Sequence, residues 1–419
     1  MLLYGQPGGI TIIVNFLKYT SADARKNILT KLTMNELQTI LKAFDESKNS
    51  GETSFLATVV NTKGSTYRRP GAKMLMTNTG RIIGAISGGC LENDVYQYTQ
   101  QMHSGKPILV TYDNTADEDI VWGFGLGCNG VVQVLIEPLN GESELNPIVF
   151  ISECFNKQQR GVIATIYSVE NALNIKVGSR LMLNDDGSVT TDIKEANLTA
   201  LLIQDAKIAL KNKHSTVNKY QLSGTVEVFV EVIQPATPLI IFGANRDAIP
   251  VVKFAASLGW DVTIVDCRSD EATLQRLAIA SKIILTRREV IHKQVSVDEN
   301  TIAVVMTHNY LDDLEILKTL LPSPIPYLGI LGPKQRTEKL LQDLHAQGIS
   351  YSNEQLQKLY APVGLDIGAD TPEQIALSII AEIQTVIAKR DGGFLRNRIQ
   401  PIHQPVIVKE NKTEVQKSY

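Results

Sequence analysis

The chain has 419 residues, 43% of them apolar and 20% charged, with a formal net charge of −3. This is ordinary globular composition at a length that suits two or three domains, and the charge offers no footing for nucleic acid. Four cysteines in so long a chain make no disulfide framework and point to reduced thiols in a cytoplasmic setting.

Residues 1–30 read as an uninformative N-terminal arm. The apolar stretch from Gly8 to Leu17 is short and broken by Asn15. It has no basic region before it and no small-residue cleavage site after it, so a signal peptide is not expected. Nothing reaches the roughly 20 apolar residues of a membrane span, so no membrane partner is expected either. From Met34 to Phe44 the spacing predicts an amphipathic helix.

An internal repeat organises the next stretch. Phe55–Val60 matches Val162–Tyr167 at an offset of 107 residues (164 − 57), and Gly71–Met76 falls on Gly178–Leu183 at the same offset. Gly80 then falls on Gly187, and Gly130–Glu137 echoes Gly224–Glu231 at an offset of 94 (224 − 130). Each copy reads as short β-branched strands across a Gly turn, a helix (Leu91–His103, then Leu198–Lys211) and a final strand. The expected organisation is a first copy at 31–140 and a degenerate second copy at 141–234, together a pseudo-symmetric α+β domain.

Residues 235–390 change character. After the linker Pro235–Pro238, the apolar strand Leu239–Phe242 runs into Gly243-Ala244-Asn245-Arg246, and a helix follows to about Leu258. Strands at 261–265, 282–285, 302–306 and 327–331 alternate with helices, which predicts a Rossmann-like doubly wound parallel sheet. Thr371-Pro372-Glu373-Gln374 carries the cap, first-turn proline and capping-box glutamine of a closing helix. Residues 391–419 read as a polar, unordered tail.

The chemistry concentrates in the first copy. Ser87-Gly88-Gly89-Cys90-Leu91-Glu92 and Gly125-Leu126-Gly127-Cys128-Asn129-Gly130 each set a thiol among glycines, whose backbone can crowd a ligand. Cys90 lies at a helix start, where a thiolate is favoured. Thiolates suit soft metals and form persulfides, and Glu92 and Asp94 add carboxylates near Cys90. Gly64-Ser65-Thr66 precedes Tyr67, Arg68 and Arg69, with Lys73 close behind, and guanidinium groups clamp phosphate. The bland alternatives are a solvated basic turn and structural cysteines, the reading adopted for Cys154 and Cys267. The second copy has none of these segments, so the fold does not need them.

In the Rossmann-like half, the strand–glycine–helix turn suits a pyrophosphate, and Asp266, 23 residues after Gly243 (266 − 243), suits ribose hydroxyls. Asn245 and Ala248 stand where the fingerprint wants glycines, which weakens a nucleotide site. His308, after a strand end, is a candidate base, although a lone loop histidine more often only hydrogen-bonds.

The runs Leu56–Val60, Gly64–Thr66, Arg69–Met74 and Gly88–Glu92 resemble the N-terminal domain of the XdhC/CoxI family, accessory proteins of xanthine dehydrogenase and related molybdenum hydroxylases. Phe242-Gly243-Ala244, Asp247-Ala248, Val265-Asp266, Arg268, Met306-Thr307-His308 and Arg336 are similar to that family's Rossmann domain, and Gly364–Ala369, with Asp366, to its closing signature. The resemblance covers about 50–390 and implies a molybdenum cofactor chaperone. Such a protein holds the pterin cofactor while a cysteine desulfurase exchanges a terminal oxygen for sulfur, then delivers it to a hydroxylase. It implies cofactor binding at Gly64, Ser65, Thr66, Arg68, Arg69, Gly88, Gly89, Cys90, Glu92, Gly127 and Cys128, with a metal contact of Cys90 and Cys128 through the cofactor's molybdenum. Further binding is implied at Gly243, Ala244, Asn245, Arg246, Asp266, Arg268, His308 and Asp366. Where family members show Gly-Ala-Gly-His, this chain has Gly243-Ala244-Asn245-Arg246, and Arg246 suits an additional phosphate. The rival reading is an NAD(P)-dependent oxidoreductase using the Rossmann half. A third is an assembly module docking its client through an apolar patch near the sheet's C-terminal edge. A homodimer is left open.

Overall fold

The structure, a computed structural model, describes residues 4–6, 9–13, 35–102, 105–113, 130–139, 143–172, 174–268, 271–399, 402 and 408–412. They form two compact units, one of residues 36–235 with 403–419 and one of 1–35 with 236–402.

The chain begins with β1 (Tyr4–Gln6) and β2 (Gly9–Ile13), an antiparallel pair that belongs to the second unit. The first unit opens with α1 (Glu36–Ser50), longer than the sequence suggests, followed by β3 (Ser54–Gly64), β4 (Lys73–Thr77) and β5 (Ile82–Gly84). Next come α2 (Glu92–Gln101), β6 (Ile108–Asp113) and β7 (Gly130–Leu139). The same order then recurs in α3 (Pro147–Lys157), β8 (Gly161–Glu170), β9 (Arg180–Asn184), β10 (Val189–Thr191), α4 (Ala196–Asn212), β11 (Thr216–Gln221) and β12 (Thr225–Ile233).

The two sheets have matching strand orders, β5-β4-β3-β7-β6 and β10-β9-β8-β12-β11, all antiparallel. The repeat extends to detail. The registers of β3–β7 and β8–β12 each slip once, at the equivalent residues Val60 and Tyr167. Left-handed backbone recurs at matched positions too: Gly51 and Gln158, Gly64 and Asn171, Gly71 and Gly178, Gly80 and Gly187. Phe55, Ala57 and Val59 pack with Val95 of α2, while Val162, Ala164 and Ile166 pack with Leu202 and Ala206 of α4. Between the copies, Val60, Leu135, Tyr167, Val217 and Phe229 form a shared apolar cluster. Because β3 and β8 are covered on both faces, their apolar runs are nearly unbroken rather than alternating.

Two buried ion pairs cross between the copies. Lys73, first residue of β4, pairs with Glu231 of β12, and Arg180, first residue of β9, pairs with Glu137 of β7. Residues 73 and 180 are equivalent, as are 137 and 231, so the exchange is reciprocal.

In the second unit, β13 (Pro238–Phe242), α5 (Ala248–Ser257), β14 (Asp261–Asp266), α6 (Glu271–Arg276), β15 (Lys282–Leu285) and α7 (Ile291–Gln294) are followed by β16 (Ile302–Val305), α8 (Tyr310–Leu320), β17 (Tyr327–Ile330), α9 (Lys334–Ala346), α10 (Asn353–Gln357), β18 (Leu359–Tyr360) and α11 (Pro372–Ile387). The six parallel strands run β15-β14-β13-β16-β17-β18, the doubly wound order with its switch point between β13 and β16, and β2 adds antiparallel to β15. The expected capping box of α11 is present, with the Thr371 side chain accepting from the Gln374 N–H. The tail differs from expectation: β19 (Val408–Lys412) pairs in parallel with β11. That strand is otherwise a sheet edge, whose open N–H and C=O groups accept an added strand.

Candidate functional site

Three segments of the first copy converge. Gly64 ends β3 opposite Gly130 at the start of β7. A Cβ on Gly130 would lie 2.6 Å from the Lys63 carbonyl oxygen and 2.7 Å from that of Ser65, so only glycine fits at the start of β7 there. The Tyr67 ring, 70% exposed, lies over Gly88, where a Cβ would be 3.7 Å away. Glu36 of α1 joins the same two loops. Arg68 Nη1 and Nη2 donate to its Oε2 and Oε1 at 2.9 and 2.7 Å, and Ala85 N donates to Oε1 at 3.1 Å.

Residues 85–91, between β5 and α2, are organised by Ser87 and Glu92. Glu92 Oε1 accepts from Ile86 N at 3.1 Å and Ser87 N at 2.8 Å. Its Oε2 accepts from Ser87 Oγ at 2.6 Å and Leu91 N at 3.2 Å. Burial works against the charge on Glu92, but the hydrogen bonds from the Ser87 side chain and backbone outweigh it and hold the carboxyl below its usual range. Ser87 Oγ in turn accepts from Gly89, Cys90 and Leu91 N, each at 3.2 Å, and lies 3.5 Å from Cys90 Sγ. The outcome is a half-buried thiol on a tightly held loop whose Gly88 and Gly89 face solvent. Gly89, at φ +110°, has no counterpart among the matched left-handed positions of the second copy.

This geometry corrects several roles. The N–H groups of Gly89, Cys90 and Leu91 turn inward to Ser87 Oγ, so they make no outward cradle. Glu92 holds the loop, since four donors already occupy its two oxygens. Lys73 is buried against Glu231 and Arg68 is held by Glu36, so both are engaged within the fold. Thr66 Oγ1 donates to the Arg68 carbonyl oxygen at 2.9 Å and shapes the turn. Ser65 is exposed, and Arg69 is half-buried in the same turn. Gly127 and Cys128 lie outside the described residues. Sequence reasoning missed Glu36 and the part played by Ser87; the first is 32 residues from the arginine it binds and left no local signal. Cys154 is buried and Cys267 half-buried, each with its thiol pushed up to about 11 mainly by burial, which fits their structural reading.

In the second unit, Gly243 is needed where β13 turns, because a Cβ would meet the Met306 carbonyl oxygen at 2.8 Å. Asn245 Nδ2 donates to that same oxygen at 2.6 Å, and its Oδ1 accepts from Ala248 N at 3.2 Å. Its side chain therefore ties the ends of β13 and β16 across the switch point, where a dinucleotide's pyrophosphate would need open backbone. Ala244 is buried beside it and Arg246 is exposed. His308 Nε2 lies 3.5 Å from Asp247 Oδ2, which brings these two loops together. Asp266 Oδ2 accepts from Arg268 N at 3.3 Å, and the Arg268 guanidinium pairs with buried Asp312 at 3.1 Å. Arg288 pairs with Asp312 from the other side, also at 3.1 Å, and Arg336 with Asp313. Asp366 is exposed in a different loop, between β18 and α11. Among the described residues no cluster of His, Cys, Asp and Glu is arranged to hold a metal ion, and no helix is long and apolar enough to cross a membrane.

Comparison with known proteins bears directly on this arrangement. Residues 239–383 match the model of the XdhC Rossmann domain and residues 47–113 that of the XdhC and CoxI family. A probable xanthine dehydrogenase subunit from Bacillus subtilis is 31% identical over 84% of this chain and 97% of its own length. The chain belongs to the XdhC and CoxI family. The molybdenum cofactor insertion chaperone PaoD of Escherichia coli is 25% identical over 83% of this chain and 88% of its own. The crystal structure of a xanthine dehydrogenase from Bacillus halodurans superposes with a TM-score of 0.68 at 27% identity, covering 84% of this chain and 96% of that one.

Proposed function

We propose that the protein is a molybdenum cofactor chaperone that serves a xanthine dehydrogenase-type hydroxylase. In this reading the first copy binds the pterin cofactor, keeps it from water and oxygen while a cysteine desulfurase replaces its terminal oxygen with sulfur, and passes it to the apo-enzyme. The observation that carries the reading is the Ser87–Glu92 clamp around Cys90. It fixes a thiol at the mouth of a loop that the fold does not require, since the second copy folds without it. Similarity to a cofactor insertion chaperone supports the cargo. Cys90 is assigned the approach to the metal or its sulfur ligand, and Cys128 the same role. Tyr67, over Gly88, offers an aromatic face to the pterin ring. Arg69 and Ser65 are the polar groups of the 64–69 turn assigned to the cofactor phosphate, while Arg68 acts through Glu36 to hold the two loops together. The Rossmann half contributes no redox step in this reading. Asn245 bonds across the switch point where a nicotinamide nucleotide's pyrophosphate would lie, and no observation favours the oxidoreductase alternative.

The test is retention of cofactor. The purified chain, mixed anaerobically with released molybdenum cofactor and passed through a desalting column, is expected to carry about one pterin per chain, and Cys90→Ser to lose at least tenfold of it. Full retention by Cys90→Ser together with Cys128→Ser would contradict the assignment.

A further inference from the structure

Along α5 and the turn before it, Arg246, Ile249, Pro250, Lys253, Phe254 and Ser257 recur three or four residues apart and so share one face. The opposite stripe, Ala248, Val251, Val252, Ala255 and Ala256, is buried against the sheet, and Pro250 is buried at the edge of the groove. Arg276 at the end of α6 and Glu373 in the first turn of α11 flank the exposed face, enclosing a groove of about 490 Å³. Phe254 is 38% exposed on its floor, and Leu258, one turn on, is 45% exposed.

Two properties set this groove apart from ordinary surface. Its apolar floor lies under three cations, Arg246, Lys253 and Arg276, against one carboxylate, Glu373. The chain as a whole carries −3, so the cationic rim is a local reversal of sign and not a general solubilising charge. The groove also has length: α5 alone, Ala248–Ser257, spans about 15 Å, room for two to three turns of a partner helix.

We propose that this groove docks an acidic segment bearing an aromatic or leucine anchor, presented by the molybdenum hydroxylase that receives the cofactor. The inference rests on the chaperone reading above and adds the surface through which the client is held. The anchor enters over Phe254, and carboxylates flanking it meet Lys253 and Arg276. Apolar contact sets the residence time, while the charges set the encounter rate and select against basic partners. Arg246 places one end of the groove at the C-terminal end of β13, the edge where this sheet class presents its ligands.

The experiment titrates the full chain with the apo form of its own hydroxylase at about 50 and about 300 mM salt, following complex formation by a fluorescent label. Wild type is expected to bind, at least tenfold more weakly at the higher salt. Lys253→Glu with Arg276→Glu is expected to weaken binding at least tenfold at low salt and to abolish the salt dependence. Both side chains are exposed, so the fold tolerates the change, and cofactor retention is expected to stay at the wild-type level. Phe254→Ser is expected to raise the dissociation rate without changing the salt dependence. Charge-reversed protein that binds the apo-enzyme as tightly as wild type overturns the groove and leaves the chaperone reading intact. So does competition for the groove by a nucleotide or the free cofactor. Wild type that fails to bind the apo-enzyme while retaining cofactor overturns the docking proposal, whereas loss of cofactor retention in wild type overturns the chaperone reading.

Discussion

The two copies of the first unit are built alike, and they part in one place. Both link their third strand to the following helix and both put a carboxylate at that junction. In the second copy the link is four residues, 192–195, and Glu195 caps its own helix by accepting from Asn197 and Leu198 N–H. In the first copy the link is seven residues, 85–91, and Glu92 reaches back to hold the loop and Ser87. Even the helix-to-strand contact behind the link is shared: Tyr112 donates to Asp94 and Tyr220 to Asp205, each at 2.6 Å. A duplicated scaffold thus supplies its own control. What both copies keep is the scaffold, and what one adds is the candidate site.

The largest effects are expected where the copies lock each other. Lys73→Met strands Glu231 as a buried, unpaired charge, and Arg180→Met does the same to Glu137. Each is expected to cost about 3–5 kcal/mol in urea unfolding, and the double change Lys73→Met with Glu231→Met much less. Equal costs for the two pairs sustain the reciprocal exchange; one pair costing nothing breaks it.

A smaller effect is expected at the clamp, and in the first copy alone. Glu92→Gln leaves the Ile86, Ser87 and Leu91 N–H groups a weaker acceptor, for an expected loss of about 1–3 kcal/mol. Because the folded Glu92 has its pKa lowered, its contribution is complete above the unfolded value of 4.5 and is lost as pH falls through the folded value. The gap in melting temperature between wild type and Glu92→Gln is therefore expected to be constant near neutrality and to shrink below pH 4.5; a gap that widens on acidification contradicts the clamp.

The smallest readout separates the thiols. Cys154, on the second copy's first helix, and Cys267 have thiols raised to about 11, chiefly by burial. At pH about 8, iodoacetamide with peptide mapping is expected to label Cys90 well before either of them. Simultaneous labelling of Cys90 and Cys154 would erase the distinction between site and scaffold.

Much of this was legible in the sequence. The repeat shows because strands and positive-φ glycines constrain residue type at both copies, as at Gly71 with Gly178 and Gly80 with Gly187. The doubly wound half shows because buried parallel strands are continuous apolar runs. The site was legible only as a place. Arg68 and Lys73 read as a phosphate clamp, since nothing local distinguishes a cation awaiting an anion from one already paired with Glu36 or Glu231, which are 32 and 158 residues away. The Gly-Gly-Cys N–H groups read as donors to a ligand because the sequence does not tell which way a loop turns its amides, and Ser87 turns them inward. Tail pairing at β11 was hidden because any extended segment can complete an open edge.

The central claim is one cofactor site, in the first copy and dependent on its longer link. The most direct measurement replaces residues 85–91 with the second copy's 192–195 and counts pterin per folded chain after anaerobic loading. The account predicts about one per chain for wild type and essentially none for the replacement, with both still unfolding cooperatively. Two per chain in wild type, or one per chain in the replacement, would contradict it.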